Sequence, residues 1–245
     1  MLDTKDVKPE DDITSPYFLT PGEKWWRDRQ PMLESRGYML RSRHRPGWTP
    51  SWLSKGEHYS YGFEDSIMKT FAVYNIDATR ISDGAPVYFK ALPPFPDGTG
   101  NFQELDVGLF FSSEPRRSDP RNLCVPIVDW WHIPEERTSF IVMPLLRACD
   151  SPEFLTVGEV VDFLWQIFEG LASMHEHHVA HRDCWAGNIM MDPGNMYPRS
   201  FHPIEMDLNT DLHGHAPHKS RTDCPPRYYL MDFGLSNRFN PVNGP

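Results

Sequence analysis

The most regular pattern in the chain is a helical one. Val160, Val161, Leu164, Ile167, Phe168, Leu171 and Met174 fall on one face at helical spacing, and Thr156 with Glu159 supplies a capping box where that face begins. A shorter helix is expected through Trp25 and Trp26, because Thr20 offers an N-cap, Pro21 fits the first helical position and Glu23 completes a second capping box. Pro31 is expected to kink or end it. Between these two regions the pattern is mostly strand-like. Phe71 to Tyr74, Ala78 to Ile81, Pro86 to Leu92, Cys124 to Val128 and Thr138 to Pro144 read as strands, with Ser82-Asp83-Gly84 as a turn and residues 130 to 137 as a polar turn. Phe102 to Phe111 carries apolar residues at helical spacing.

Residues 1 to about 20 are acidic, polar and without periodicity, which predicts a disordered lead. Residues 36 to 60 are rich in Arg, Pro, Trp and Ser and predict an irregular extension wrapped on a surface, anchored by burial of Trp48 and Trp52. Strands with one helix, then a long helix, give an α+β outline in two lobes. The expected division is an extension over 1–60, a β-rich lobe over 61–146 and a helical lobe over 147–245.

Composition narrows the class. Of the 245 residues, 39% are hydrophobic and 24% charged, as in soluble globular proteins. The longest apolar runs are too short to span a bilayer, so no membrane role is expected, and the first residues do not form a signal peptide. Four cysteines without short paired spacing fit reduced thiols in an intracellular setting, cytoplasmic or nuclear. A net charge of −10 argues against nucleic acid as a partner, because backbone binding needs a basic face.

The chemistry is concentrated late in the chain. His181-Arg182-Asp183-Cys184-Trp185-Ala186-Gly187-Asn188 follows the long helix, and Tyr228 to Met231 is an apolar strand leading into Asp232-Phe233-Gly234. Upstream, Val87-Tyr88-Phe89-Lys90 is a strand ending in a lysine, and Glu104 lies on the helix after it. In this order the segments resemble the catalytic loop, the Asp-Phe-Gly motif and the lysine strand of eukaryotic-type protein kinases. The resemblance implies a two-lobe kinase-like fold with a β-rich N-lobe and an incomplete helical C-lobe, since the chain stops soon after Asp-Phe-Gly. It implies transfer of the γ-phosphate of ATP to a protein hydroxyl, on Ser or Thr rather than Tyr, with ATP and Mg²⁺ as ligands. By that resemblance Asp183 is the base, Lys90 and Glu104 position the phosphates, and Asn188 and Asp232 hold metal. Met143, Pro144 and Leu146, in Phe140 to Leu146, resemble the hinge that receives adenine; proline there keeps the carbonyl that accepts from the base.

The chain departs from that pattern in four places. No glycine-rich loop precedes Lys90; residues 65 to 75 contain no glycine, and Lys69 is the nearest substitute for phosphate contact. Tyr88 lies two before Lys90 on the same strand face, where a small residue is usual. Trp185 stands two after Asp183, where serine/threonine kinases carry lysine. Asp183 and Asp232 are 49 positions apart against roughly 18 in the family layout, which makes 193–226 a long surface loop. These departures keep open a pseudokinase or truncated nucleotide-binding module. The Ala-Gly-Asn-Ile ending of the loop also resembles small-molecule kinases of the aminoglycoside and choline type. His213, His215, His218 and Cys224 could meet a zinc ion, but their spacing matches no standard zinc module, and a polar loop is the plainer reading. If the lobe is unfinished, apolar surface should be exposed where further helices would pack.

Overall fold

In the computed structural model, residues 15–56, 62–68, 73–95 and 102–240 are described. The protein is α+β. It divides into two compact units, one of Met1–Val87 with Phe201–Ala216 and the other of Tyr88–Ser200 with Pro217–Pro245.

The first unit begins with α1 (Pro21–Arg27), where the Thr20–Glu23 capping box forms as expected. Pro31 does not end this helix. It lies in the first turn of a separate one, α2 (Gln30–Ser35), where its missing N–H costs nothing. Next come β1 (Tyr38–Met39), α3 (Ser51–Ser54) and β2 (Asn75–Arg80), with β1 antiparallel to β2 in the register Tyr38 to Arg80. Of the expected strand Phe71–Tyr74, residues 71 and 72 lie outside the described residues and 73–74 form a turn. Most of the expected disordered lead, 1–14, also lies outside them.

Residues 36 to 56 are largely exposed or half-buried but send Tyr38, Leu40, Arg43, His44 and Trp52 into the core, with Trp52 anchoring the stretch as expected; residues 57–60 lie outside the described residues. Trp52, Arg43 and His44 are fully buried. Arg43 tolerates burial because its donors are used. Its Nε donates to Glu23 Oε1 at 2.7 Å, and its terminal nitrogens donate to the carbonyls of Pro16, Phe18 and Asp65. Asp65 in turn accepts from the Trp48 indole at 2.8 Å and from the Ser51 hydroxyl at 2.6 Å. The segment 201–216 belongs to this unit; its His202 is buried, with Nε2 3.6 Å from Glu64 Oε1.

The second unit carries residues 88–92 of β3 (Pro86–Leu92), α4 (Gln103–Ser112), β4 (Asp129–Ile133), β5 (Thr138–Pro144) and β6 (Arg147–Ala148). It continues with α5 (Val157–Glu176), β7 (Val179–Ala180), β8 (Ile189–Asp192), β9 (Arg227–Leu230) and β10 (Asn237–Arg238). In its larger sheet β5 lies between β3 and β4, and a smaller sheet runs β6-β8-β9. The Cys124–Val128 strand does not form. Pro126 cannot serve a ladder, and only an isolated parallel bridge joins Cys124 to Leu230. The strand forms five residues later, where a turn is expected, because Trp131 pairs with Phe140 across β5 and stacks on it at 5.3 Å.

The face of α5 splits. Ile167, Met174 and Gly170 are buried, whereas Trp165 and Phe168 are 67% and 65% exposed and Val161 and Leu164 are exposed with them. The insert is not merely a surface loop. Met196 is fully buried, and Arg221 is 3% exposed, stacked on Phe154 at 4.2 Å and donating to the Tyr228 hydroxyl and the Pro152 carbonyl. No helix among the described residues is long and apolar enough to cross a membrane.

Candidate functional site

Lys90, Glu104, Met143, Pro144, Leu146, Asp183, Asn188 and Asp232 all belong to the second unit. Strand β3 alternates, burying Val87, Phe89 and Ala91 while Tyr88 and Lys90 share the other, partly open face. Lys90 therefore leaves the sheet with its apolar stem covered and its ammonium directed at two carboxylates. Its Nζ donates to Glu104 Oε1 at 2.7 Å and is 2.9 Å from Asp232 Oδ1. Glu104 reaches it from the first turn of α4, where a carboxylate also suits the helix N-terminus.

Burial opposes the charges of Lys90 and Glu104. For Lys90 the facing Glu104 and Asp232 carboxylates outweigh it and hold the ammonium above its ordinary pKa. For Glu104, 4% exposed, burial raises the pKa and Asp232 adds to the rise, with Lys90 pulling the other way. Lys90 is thus a firmly protonated cation placed between two acidic groups.

Asp232 takes a left-handed backbone conformation, with φ of 64°, at the end of the strand that carries it. That turn brings its Oδ1 to the Gly234 N–H at 3.4 Å and to Lys90, while its side chain remains 43% exposed. A side chain at Gly234 would press on Asp232 Oδ1 at 3.3 Å, so the short turn suits glycine. Oδ2 has no partner among the described residues.

The second cluster lies on the loop after β7. The Asn188 amide donates to the backbone carbonyl of Asp183 at 3.0 Å and to its carboxylate Oδ2 at 2.8 Å. Asn188 Oδ1 accepts no hydrogen bond among the described residues. The two clusters are tied through Met231, the residue before Asp232. Its N–H donates to the Asn188 carbonyl at 2.9 Å, and its carbonyl accepts from His181 Nε2 at 3.2 Å. His181 Nδ1 accepts from the Asp183 N–H at 3.3 Å, so the partners assign the proton to Nε2. Burial lowers the pKa of His181, keeping the ring neutral in this role. Its ring meets Phe233 edge-on at 5.6 Å, and its carbonyl accepts from Ser236.

Met143, Pro144 and Leu146 lie at the end of β5 and in the short link to β6, with Met143 and Leu146 buried. Strand β5 neighbours β3 in the sheet, but no contact of these three residues with Lys90 is among the described ones. Lys69 lies outside the described residues. A cavity of about 430 Å³ is lined by Phe111, Asn122, Cys124, Arg227 and Tyr229 among others, and none of the charged cluster lines it. The cluster is the better candidate, because it holds a cation between two carboxylates and ties them to Asp183 and Asn188 through Met231. Among the described residues no three His, Cys, Asp or Glu side chains gather to hold a metal, so the zinc alternative finds no support.

The sequence did not point to the Lys90–Asp232 ion pair, the Met231 bridge or the seating of Trp185 on Gly187. A Cβ built on Gly187 would lie 2.3 Å from the Trp185 ring. Only the glycine two positions after an aromatic hinted at the last of these. Protein-family models give no match for this chain, and neither do the curated proteins.

Proposed function

We propose that the protein is a protein kinase-like enzyme, with the two-lobe kinase fold, that transfers the γ-phosphate of ATP to a protein hydroxyl. The observation that carries this reading is one constellation: Lys90 held between Glu104 and Asp232, joined through Met231 to the Asp183–Asn188 pair. Lys90 offers a fixed positive charge for phosphate oxygens. Asn188 Oδ1 and Asp232 Oδ2 are hard oxygen ligands without partners among the described residues, which fits magnesium. Bound there, Mg²⁺ would neutralise phosphate charge. Asp183 is half-buried and oriented by Asn188, leaving its carboxylate placed to take a hydroxyl proton. Met143, Pro144 and Leu146 are assigned to the adenine side.

The experiment is transfer from γ-labelled ATP to a panel of protein substrates by the wild type and by Asp183→Ala. The proposal expects transfer by the wild type, a loss of about 10²–10⁴-fold in the variant and unchanged nucleotide binding in both. Equal transfer by both proteins would refute the role of Asp183.

One observation favours a second reading, a nucleotide-binding module without transfer. Lys90 contacts Asp232 directly and so engages the carboxylate that would hold metal. Magnesium-independent ATP binding with no transfer would support it.

A further inference from the structure

The cavity of about 430 Å³ opens within the second unit, where the end of α4, residues 117–128 and β9 meet. Its size is that of a small-molecule site. One wall is apolar. Phe111 and Cys124 are buried there, and Val128 is 40% exposed beside them. Burial pushes the Cys124 thiol pKa up, so the group stays neutral and serves as wall rather than nucleophile.

The charged part of the lining is two arginines and one aspartate. Asp119 is already engaged, 3.3 Å from Arg121, and Arg121 is shared with Glu176 at 2.9 Å. The arginines have no such partners. Arg227 donates from Nη2 to the carbonyls of Pro120 and Asn122 at 2.8 and 3.0 Å, which fixes its guanidinium without neutralising it. The same guanidinium lies 5.5 Å from the Tyr229 ring. Arg227 makes no ion pair among the described residues. Arg117 is exposed, and its guanidinium has no partner among them. The lining therefore carries one positive charge in excess, beside an apolar wall and two aromatic rings.

We propose that this cavity binds a small aromatic monocarboxylate. The carboxylate accepts from Arg117 and Arg227, whose planar forks match its two oxygens. The ring lies against Phe111, Cys124 and Val128, and its burial supplies the apolar part of the affinity. A neutral ligand leaves the excess charge unmet. A dianion brings one charge too many beside Asp119. None of Lys90, Glu104, Asp183, Asn188 or Asp232 lines the cavity, so this site stands apart from the phosphoryl-transfer reading.

The test is calorimetric titration of the purified chain with 2-naphthoate, with neutral 2-naphthamide of nearly the same shape, with acetate, which lacks the ring, and with phenyl phosphate. Naphthoate is expected to bind at one site and at least about tenfold more tightly than the other three, the scale of a hydrogen bond to a charged group. Arg117→Gln should lose that preference by weakening naphthoate alone, and Arg117→Lys should keep part of it. Val128→Trp fills the cavity and should lose naphthoate and naphthamide together. Lys90→Met removes the cation of the other cluster and should bind naphthoate as the wild type does. Arg117 and Val128 are both exposed, and a cooperative melt checks that each variant is folded.

Equal binding of naphthoate and naphthamide, or naphthoate binding undiminished in Arg117→Gln, overturns the proposal. Loss of naphthoate in Lys90→Met places the ligand on the other cluster and overturns it as well. Tighter binding of phenyl phosphate refutes the single charge. The absence of any binding below about 1 mM, the weak end of specific affinity, refutes the site.

Discussion

Glu23→Gln isolates one buried charge with little else disturbed. Glu23 is 2% exposed and faces Arg43 and His44, with Oε1 2.7 Å from Arg43 Nε and 3.3 Å from His44 Nε2. Burial works to raise its pKa, but the bonds from His44 and Arg43, the Arg43 charge and the Thr20 N–H outweigh it and hold the carboxyl at about 2, against an ordinary 4.5. A shift of that size corresponds to about 3 kcal/mol in favour of the folded state at neutral pH. Breaking a buried pair from the other side gives a similar figure, roughly 3–5 kcal/mol, because Arg43 is left buried without its counter-charge. Glutamine keeps the volume and can still accept from Thr20 N–H, so the capping box of α1 survives and the charge alone is removed. Urea denaturation at pH 7, with hydrogen exchange at the α1 amides, reads the loss in the first unit. The variant should lose about 3 kcal/mol and the part of the acid sensitivity below pH 4.5 that Glu23 carries, with the Glu64 part remaining. A loss under about 1 kcal/mol, the scale of an exposed pair, would refute the claim that this pair holds the first unit together.

Acidification of the wild type should act in two stages. His44 has its pKa lowered by burial and by Arg41, so its contribution is present above 6.5 and is lost as pH falls below that value. Glu23 and Glu64, both held at about 2, contribute above 4.5 and lose that contribution as pH falls toward 2; hydrogen exchange at the first unit's amides from pH 8 to pH 2 should therefore show its protection falling in both windows. Gly170→Ala should destabilise the second unit by about 1–3 kcal/mol despite the better helix propensity of alanine, since its Cβ would lie 2.8 Å from Leu123 Cβ, and denaturant titration checks it. Lys90→Met leaves the Glu104 and Asp232 carboxylates facing each other without a cation, and calorimetry should show ATP binding weakened by at least about tenfold.

Much of the frame was legible in the sequence because its signals are local. Both capping boxes, the β3 and β5 strands and the helix bearing Glu104 form where residue order alone puts them. What could not be read depends on partners distant in the chain. Arg43 looks like a surface residue in an Arg- and Pro-rich stretch until Glu23 and three carbonyls satisfy its guanidinium. Trp130 and Trp131 look like a turn until Phe140 gives Trp131 something to stack on. Periodicity names the apolar face of α5 and cannot say what covers it; Val161, Leu164 and Phe168 of that face remain exposed. At the site, the residue types suggested the roles, but only the fold shows that Asn188 spends its amide nitrogen on Asp183.

The central claim is a nucleotide site built on Lys90, Asn188 and Asp232. Its most direct test is the melting temperature of the purified chain with ATP alone, with Mg²⁺ alone and with both, in the wild type and in Asp232→Asn. The account predicts a rise that needs ATP and Mg²⁺ together and that the variant loses, because a ligand bound only by the native state must stabilise it. A cooperative melt unmoved by Mg·ATP, or moved equally in the variant, would contradict it.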